Sequence, residues 1–435
     1  MVPNGWSEVK LGDVIAHQKG FAFKSENYCH DGKRIIRISD TDRNSIHDRS
    51  PVYVSDENSV GLERYSLSEG DIILSTVGSR PHLLDSMVGK AVQIPAKDDG
   101  ALLNQNLVKL SPKKKVITNN YLFSMLKKNK FNFFISTLVR GNANQVSITL
   151  NELFSYSFLL PTYEEQRKIA QILSTWDRGI ATTEKLIDAS KQQKKALMQQ
   201  LLTGKKRLVD PETGKAFEGD WRKSKTPYES LPSDWSELAL EKLSSFITKG
   251  ATPTTYGFEW QEYGIPFLRS ECVGKNGFKE SGLNYICDDA HEAMARSKVY
   301  AGDILITITG NVGRVCRLPN KYPQANINQH IAKVTLKDEN VCSDFIFHCL
   351  QDNKYQSNFE RITTGQAYPQ ISLVQVRNTI VPLPPISEQQ KIASVLTAAD
   401  KEIELLEAKL AHFKQEKKAL MQQLLTGKRR VSLSS

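Results

Sequence analysis

One block of sequence occurs twice in this chain of 435 residues. Residues 160–208 match residues 383–431 at a constant offset of 223 without a gap, and 26 of the 49 aligned positions are identical. The segment Lys194–Lys205 is repeated unchanged as Lys417–Lys428. A repeat of this kind indicates duplication, so the chain is expected to fold as two equivalent units.

The segments in front of the two blocks correspond more loosely. Trp6 and its neighbours match Trp235 and its neighbours, and residues 70–74 (GDIIL) match residues 302–306 (GDILI). Short aliphatic runs alternate with turn residues in both segments, which predicts strands, and a few helical stretches lie between them. The predicted domains are a first head over 1–160, a central helix over 161–208, a linker over 209–230, a second head over 231–383 and a C-terminal helix over 384–430.

Apolar or small residues recur in both repeated blocks with alternating steps of three and four, which is the heptad spacing of a coiled coil. In the second block they are Ile392, Ala399, Ile403, Leu406, Leu410, Phe413, Leu420 and Leu424. One seam position is lysine in both copies, Lys194 and Lys417. The predicted fold class is therefore α/β (α+β) heads plus long helices, with the two helices paired antiparallel about a pseudo-two-fold axis because the linker is short.

Capping signals predict where these helices begin and end. Thr162 with Glu165 resembles a capping box in the first copy, and Ser387 plays that part in the second. Gly204 and Gly427 are well placed as C-terminal stops. Each helix would then have roughly 38 residues and a length of about 57 Å.

The repeated helices allow two interpretations. They could be an internal spacer with a solvated basic face, or a docking surface for two copies of another protein. Polar positions that a spacer need not keep alike are identical in both copies, which favours docking. The predicted docking residues are Gln199, Gln200, Gln422 and Gln423.

Polar loops follow several of the predicted strands, and they differ between the two heads. Arg, Asn, Gln, Ser and Thr are the residue types that contact base edges and phosphates, although Gly and Asn also mark ordinary turns. For any single loop the turn interpretation is favoured; if DNA is the ligand, the candidate contacts are Ser79, Arg80, Arg140, Asn142 and Asn144 in the first head, and Asn311, Arg314, Gln366 and Tyr368 in the second. Asn104-Gln105 and Asn328-Gln329 recur in both heads, so we interpret them as structural.

Composition excludes several classes of protein. No run approaches 18 apolar residues and no secretory leader is visible, so neither a membrane partner nor export is expected, and six cysteines without a CxxC pair fit a reducing cytoplasm. No P-loop, GxGxxG or zincin motif is present, so no catalytic residue and no metal ligand is predicted. The net charge of +10 is compatible with a polyanionic partner. A non-catalytic protein-interaction scaffold with two binding heads, and an enzyme with unrecognised chemistry, remain as alternatives.

The order of diverged head, repeated helix, second head and second helix closely resembles the specificity subunit of type I restriction–modification systems. The resemblance rests on the helix start LPxxxEQxKI at residues 160–169, its end LMQQLLTGK at residues 197–205, and the copies of both, together with the head starts at Trp6 and Trp235. It covers essentially the whole chain, and the motifs and the organisation agree independently.

The resemblance implies a division of labour. Each head would be a target recognition domain that reads one half of a bipartite, asymmetric site in double-stranded DNA. The helix pair would set the gap between the half-sites and dock two methyltransferase subunits, and motor-nuclease subunits would join for cleavage. This chain would then be no enzyme and would hold no cofactor, since S-adenosylmethionine, ATP and Mg would bind only to the partner subunits.

Overall fold

The computed structural model describes residues 2–42, 45–78, 88–140, 146–208, 213–215, 219–275, 277–337, 340–365 and 369–433. The chain divides into two compact units, one made of Met1–Glu184 with Ala408–Ser435 and the other of Lys185–Glu407. Each unit therefore holds one head, the beginning of the long helix that follows this head, and the end of the other long helix.

The first head is built from short strands and helices. Its strands are β1 (Ser7–Lys10), β2 (Ile15–Lys19), β3 (Lys33–Ile36), β4 (Val52–Val54), β5 (Ile72–Ser75), β6 (Val77–Gly78), β7 (Ala91–Gln93), β8 (Leu102–Leu103), β9 (Leu107–Pro112), β10 (Val146–Ser147) and β11 (Ser157–Leu160). Its helices are α1 (Leu11–Val14), α2 (Asp56–Ser59), α3 (Asn119–Leu126), α4 (Asn129–Leu138) and α5 (Leu150–Phe154), and the long helix α6 (Tyr163–Leu201) follows.

The second head repeats this plan with additions. Its strands are β12 (Trp221–Lys223), β13 (Ser230–Pro232), β14 (Ser236–Ala239), β15 (Ser244–Lys249), β16 (Ile265–Leu268), β17 (Val273–Gly274), β18 (Gly277–Phe278), β19 (Asn284–Ile286), β20 (Lys298–Tyr300), β21 (Ile304–Thr307), β22 (Val315–Arg317), β23 (Gln324–Ile327), β24 (Ile331–Leu336) and β25 (Ile380–Leu383). Its helices are α7 (Leu240–Leu243), α8 (Asp288–Ala293), α9 (Ser343–Gln351), α10 (Asn353–Arg361) and α11 (Leu373–Arg377), and the long helix α12 (Ile386–Leu424) follows.

Equivalent sheets organise the two heads. An antiparallel four-stranded sheet has the order β2-β9-β5-β7 in the first head and β15-β24-β21-β22 in the second. The aliphatic runs seen in the sequence form its central strands, and all four residues of β5 and of β21 are buried. A second sheet, β4-β3-β8 or β19-β16-β23-β20, mixes parallel and antiparallel pairs. The mixed α/β character of the heads is therefore confirmed.

Each head closes where its long helix begins. Strand β1 pairs antiparallel with β11, with Ser7 opposite Leu160, and β14 pairs in the same way with β25, with Ser236 opposite Leu383. The first and last strands of a head thus lie side by side directly before the helix. The apolar core of each head also takes in the end of the other long helix, namely Leu424 and its neighbour in the first unit and Leu201 and its neighbour in the second.

The two long helices occupy equivalent positions in the sequence. Both have 39 residues, and the starts at Tyr163 and Ile386 differ by the offset of the repeat. The Thr162 side chain accepts a hydrogen bond from the Glu165 amide at 3.4 Å, as the capping signal predicted. The predicted cap at Ser387 is wrong, because the second helix begins one residue earlier and the amides of its first turn donate to the carbonyl oxygen of Pro385.

A glycine lies in the turn that follows each long helix, three residues beyond the last helical residue, in keeping with the predicted stops. Gly204 and Gly427 have φ angles of +72° and +71°, which only glycine adopts without strain. A Cβ atom on Gly204 would also lie 2.4 Å from the Pro232 side chain, and one on Gly427 would lie 2.4 Å from Pro3. The glycines therefore serve both the turn and the close approach of the head. None of the helices in the described ranges combines the length and the apolar character needed to cross a membrane.

Candidate functional site

A buried carboxylate joins head and helices in the first unit. Glu165, in the first turn of α6, is 3 % exposed. Trp6 donates to its Oε2 at 3.0 Å, and Arg430 from beyond the end of α12 donates to its Oε1 at 2.7 Å. Burial acts to raise the pKa of Glu165, but the hydrogen bonds from Arg430, Thr162 and Trp6 outweigh it and hold the pKa below its ordinary value. One carboxylate thus locks together three separate segments of the chain.

The second unit contains the same lock. Trp235 Nε1 donates to Glu388 Oε2 at 3.2 Å, and Arg207 donates from Nε to Oε1 at 2.7 Å and from Nη2 to Oε2 at 2.8 Å. Glu388 is fully buried, and burial raises its pKa in spite of the hydrogen bonds from Arg207 and Trp235. The Arg207 guanidinium also meets Asp234, with Nη2 2.8 Å from Oδ2.

The glutamine next to each buried carboxylate forms a second attachment between the long helix and its head. Gln166 accepts from the Thr118 amide at 2.9 Å and donates to the carbonyl oxygen of Val116 at 2.9 Å. Gln389 accepts from the Cys342 amide at 2.9 Å in the same way. Both side chains are buried. The Glu-Gln pair of the repeated motif therefore attaches each long helix to its own head, a structural role that the sequence did not reveal.

Ion pairs explain further repeated charges along the long helices. In the first unit Lys417 pairs with Asp177, and Lys414 lies 2.7 Å from Glu184. Lys417 follows Lys414 along α12, whereas its partner Asp177 precedes Glu184 along α6. The two helices therefore run antiparallel in this unit. The charge of the seam lysine Lys417 is thus neutralised by an aspartate of the facing helix.

The second unit repeats these pairs with the equivalent residues. Lys194 Nζ lies 2.5 Å from Asp400, and Lys191 Nζ lies 2.6 Å from Glu407. The helices run antiparallel here as well. These eight residues occupy four aligned positions of the repeat, and they pair within the chain, so their repetition is no argument for docking.

The predicted docking residues form a different group. Gln199, Gln200, Gln422 and Gln423 are all exposed at the ends of α6 and α12. Within the described part of the chain their side chains make no hydrogen bond, although their backbone carbonyl oxygens accept hydrogen bonds from nearby residues.

These glutamines extend an exposed face that is identical in the last turns of the two helices. At 3.6 residues per turn, Gln192, Ala196 and Gln199 fall on one side of α6. The seam residues Leu197 and Leu201 lie on the opposite side, where Leu201 is 1 % exposed. The face has the same residues in α12, where they are Gln415, Ala419 and Gln422 and are likewise exposed.

In the first head, the bases of the two predicted polar loops lie side by side. Strand β6, which leads into the loop with Ser79 and Arg80, pairs antiparallel with β10, which follows the loop with Asn142 and Asn144. Those four residues lie outside the described residues. Arg140 is described: its side chain is 74 % exposed and forms an ion pair with Glu152.

The two polar loops of the second head also meet. Thr309 forms a bridge with Gln370, and the Gly310 amide donates to the carbonyl oxygen of Pro369 at 2.9 Å. Gln366 and Tyr368 lie outside the described residues. The bases of the same two loops are therefore adjacent in both heads, although they are about 60 to 70 residues apart in the sequence.

The loop with Asn311 and Arg314 has a defined shape. Arg314 Nη2 donates to Asn311 Oδ1 at 2.9 Å, so the two predicted contact residues lie together. Gly313 has a φ angle of +81°, and a Cβ atom there would lie 2.8 Å from the Cβ atom of Phe359. Both predicted residues line a cleft of about 890 Å³ that also exposes Lys195.

The recurring Asn-Gln pairs fit the structural interpretation. Asn104 and Asn328 are buried, and their side-chain oxygens accept from the amides of Asn106 and His330, two residues further on. They shape the turn before β9 and β24. In the described ranges, no three His, Cys, Asp or Glu side chains come together as a metal site.

Comparison with known proteins identifies the family. The model of the type I restriction modification DNA specificity domain matches residues 3–191 and again residues 232–415. The MjaVIII type I restriction enzyme specificity subunit of Methanocaldococcus jannaschii is 24 % identical over 99 % of this chain and 94 % of its own length. The EcoBI specificity subunit of Escherichia coli is 25 % identical over 90 % of this chain and 78 % of its own length.

The fold is also shared with a solved structure. The S subunit of a type I restriction–modification system from M. genitalium superposes with a TM-score of 0.62 at 14 % identity, over 100 % of this chain and 99 % of that one. The two matches to the family model coincide with the two heads and the helices that follow them. The chain therefore belongs to the family of type I restriction–modification DNA specificity subunits.

Proposed function

We propose that each head reads one half of a bipartite, asymmetric DNA site, and that the helices set the gap and dock two methyltransferase subunits. One contrast carries the proposal: the paired polar loops differ between the heads, whereas the exposed residues at the ends of the two long helices are identical. A surface that differs serves two different ligands, and a surface that is kept serves two copies of the same one.

The loop pairs supply the reading surface. In each head two polar loops meet at their bases, and the sequences of these loops are rich in Arg, Asn, Gln and Ser. These residue types donate to base edges and phosphates, and each mismatched base pair costs about 1–3 kcal/mol. Ser79, Arg80, Arg140, Asn142 and Asn144 would act in one half-site, and Asn311, Arg314, Gln366 and Tyr368 in the other.

The identical helix faces supply the docking surface. One copy of the face lies at the end of α6, in the second unit, and the other lies at the end of α12, in the first unit. Each unit would therefore bind one methyltransferase subunit. The chain itself would do no chemistry, and S-adenosylmethionine, ATP and Mg would belong to the methyltransferase and motor-nuclease subunits.

Exchange of one head tests the reading role. We would co-express the chain with its methyltransferase and map modified adenines in the host genome by sequencing. Replacing residues 1–160 with the first head of another specificity subunit should change one half of the methylated motif and leave the other half and the gap intact. A change in both halves, or in neither, would contradict the proposal and favour a protein-binding scaffold.

The stoichiometry of the complex tests the docking role. Gln199→Arg and Gln422→Arg each place a bulky charge on one copy of the identical face. Native mass spectrometry should show two methyltransferase copies on the wild-type chain, one on either single variant and none on the double variant. Asp188→Arg, at an exposed position that the repeat does not keep, is the control and should retain both copies.

A further inference from the structure

The second head has a cleft of about 630 Å³ beside α10. Three basic and three amide side chains form its polar wall: Lys225, Lys354, Arg361, Asn358, Gln375 and Asn378. Among the described residues that line the cleft, none is Asp or Glu. The cleft therefore presents hydrogen-bond donors and positive charge, which is the chemistry of an anion-binding surface.

The basic groups keep most of their charge available. Lys354 Nζ lies 3.8 Å from Glu229, but these side chains are 57 % and 93 % exposed, so the pair is weak. Arg361 donates to Asn358 Oδ1 at 2.8 Å, which orients the guanidinium with a neutral partner. An anion that enters the cleft would meet oriented donors whose charge is little neutralised.

The segment between β12 and β13 builds one wall of this cleft. Glu237, whose side chain is 6 % exposed, accepts from the Lys225 amide at 2.8 Å and from the Ser224 hydroxyl at 2.7 Å, and it pairs with Arg222. The buried Thr226 completes the turn. This wall belongs to a segment that the sequence indicated only as part of a linker, and it is fixed to the head.

The first head differs at the equivalent place. Helix α4 follows α3 as α10 follows α9, and Lys130 corresponds to Lys354. The positions of Ser357, Asn358 and Arg361 are taken by Phe133, Phe134 and Thr137 in α4. Phe133 is 72 % exposed, so this surface of the first head keeps the lysine but has an aromatic side chain and a threonine in place of Ser357 and Arg361.

The location of the cleft indicates its ligand. Arg361 lies two residues before Thr363, where the second polar loop begins, and Thr364 pairs with Gln370 at the base of that loop. Arg, Lys, Asn and Gln side chains beside a base-reading element typically contact DNA phosphates and fix the register of the duplex. We infer that this cleft holds backbone phosphates of the DNA that flanks the half-site of the second head, an inference that rests on the proposed function.

Salt dependence of DNA binding tests this inference. We would measure the affinity of the assembled complex for a duplex with its site over a range of salt concentrations. Lys354→Gln combined with Arg361→Gln should lower the magnitude of the slope of log K against log salt by about 2, since each phosphate contact contributes about 0.9. The methylated motif should stay the same, because phosphate contacts carry no base information.

Two matched comparisons make the result specific. Lys130→Gln in α4 changes the residue equivalent to Lys354 in the first head. It should change the slope by less than the value of about 0.9 that one phosphate contact contributes. Neutral methylphosphonates in place of the phosphates flanking the second half-site should weaken binding by the wild-type complex and leave binding by the double variant unaffected. Unfolding midpoints of all variants confirm that the heads stay folded.

The possible failures are distinguishable. A wild-type slope in a double variant that is folded would overturn the inference while leaving the proposed function intact. Loss of one methyltransferase copy from the double variant would assign the cleft to a protein partner and overturn it as well. A wild-type complex without any sequence preference in DNA binding would contradict the proposed function itself.

Discussion

The two junctions between head and helix use the same three residue types in unequal surroundings. Glu388 is fully buried and its partner Arg207 has a side chain that is 11 % exposed, whereas Arg430, the partner of Glu165, is 43 % exposed. Arg207 also pairs with Asp234, but Arg430 makes its other hydrogen bond to the carbonyl oxygen of Asn4. Both junctions keep the same three residue types, whereas the exposure of the arginine and its further partner differ.

The largest expected effect is the loss of the buried arginine. Arg207→Ala leaves the Glu388 carboxylate buried without its cation, which typically costs about 3–5 kcal/mol in the free energy of unfolding. Arg430→Ala should cost clearly less, because the Arg430 side chain is 43 % exposed and water can take its place beside Glu165. Urea unfolding of the full chain measures both losses. Lys205→Ala and Lys428→Ala, at exposed repeated positions, are controls that should change little, and equal losses for the two arginines would refute the difference.

The seam lysines offer a second, smaller contrast. The side chains of Lys194 and Asp400 are 15 % and 32 % exposed, and those of Lys417 and Asp177 are 22 % and 55 % exposed. Double-mutant cycles with alanine should give a coupling energy of about 1 kcal/mol for the first pair and a smaller value for the second, because exposed pairs are screened by water. A larger coupling for Lys417 with Asp177 would contradict this order.

The repeat and its periodicity predicted much of the architecture. A constant offset makes equivalent helices start and end at equivalent residues, and the heptad pattern indicated which side is buried. The cap at Ser387 was placed wrongly because capping side chains are common near helix starts, whereas a proline carbonyl can accept the same amides. Local rules of this kind compete, and the structure shows which of them prevails.

The junctions could not be read from the sequence. Glu165 meets Trp6 across 159 residues and Arg430 across 265 residues, and no local pattern encodes such pairs. In the sequence, a glutamate that is repeated for an internal ion pair cannot be distinguished from one that is repeated for binding a partner. Only the contacts separate these positions from Gln199 and Gln422, which remain exposed.

The candidate reading loops were identified by residue type and not by position. The sequence indicated two polar loops in each head, but the pairing of β6 with β10 and of Thr309 with Gln370 depends on the tertiary fold. The sequence predicted a linker over 209–230 but not the ordered turn around Lys225, because that turn depends on hydrogen bonds to Glu237. Which of the predicted residues contact bases stays a prediction that the head exchange and single substitutions must test.

The smallest expected effect is a difference in how the stability contributions of Glu165 and Glu388 depend on pH. The pKa of Glu165 lies below its ordinary value of 4.5, so its contribution to stability is present above that value and is lost as pH falls through the folded-state pKa. The pKa of Glu388 lies above 4.5, so its contribution is complete below that value and is lost as pH rises through the folded-state pKa. The two junctions are therefore expected to respond to acid in opposite directions.

Glutamine variants measure this difference. Between about pH 7 and about pH 3.5, the destabilisation caused by Glu165→Gln should shrink, because the wild-type carboxylate becomes protonated and loses its advantage. The destabilisation caused by Glu388→Gln should grow over the same range, because protonation favours the folded wild-type chain. Hydrogen exchange of peptides from each unit, measured by mass spectrometry, reports the two junctions separately. A destabilisation that shrinks in both variants as pH falls would mean that Arg207 lowers the pKa of Glu388 more than its burial raises it. The two junctions would then differ in the size of the pKa shift but not in its direction.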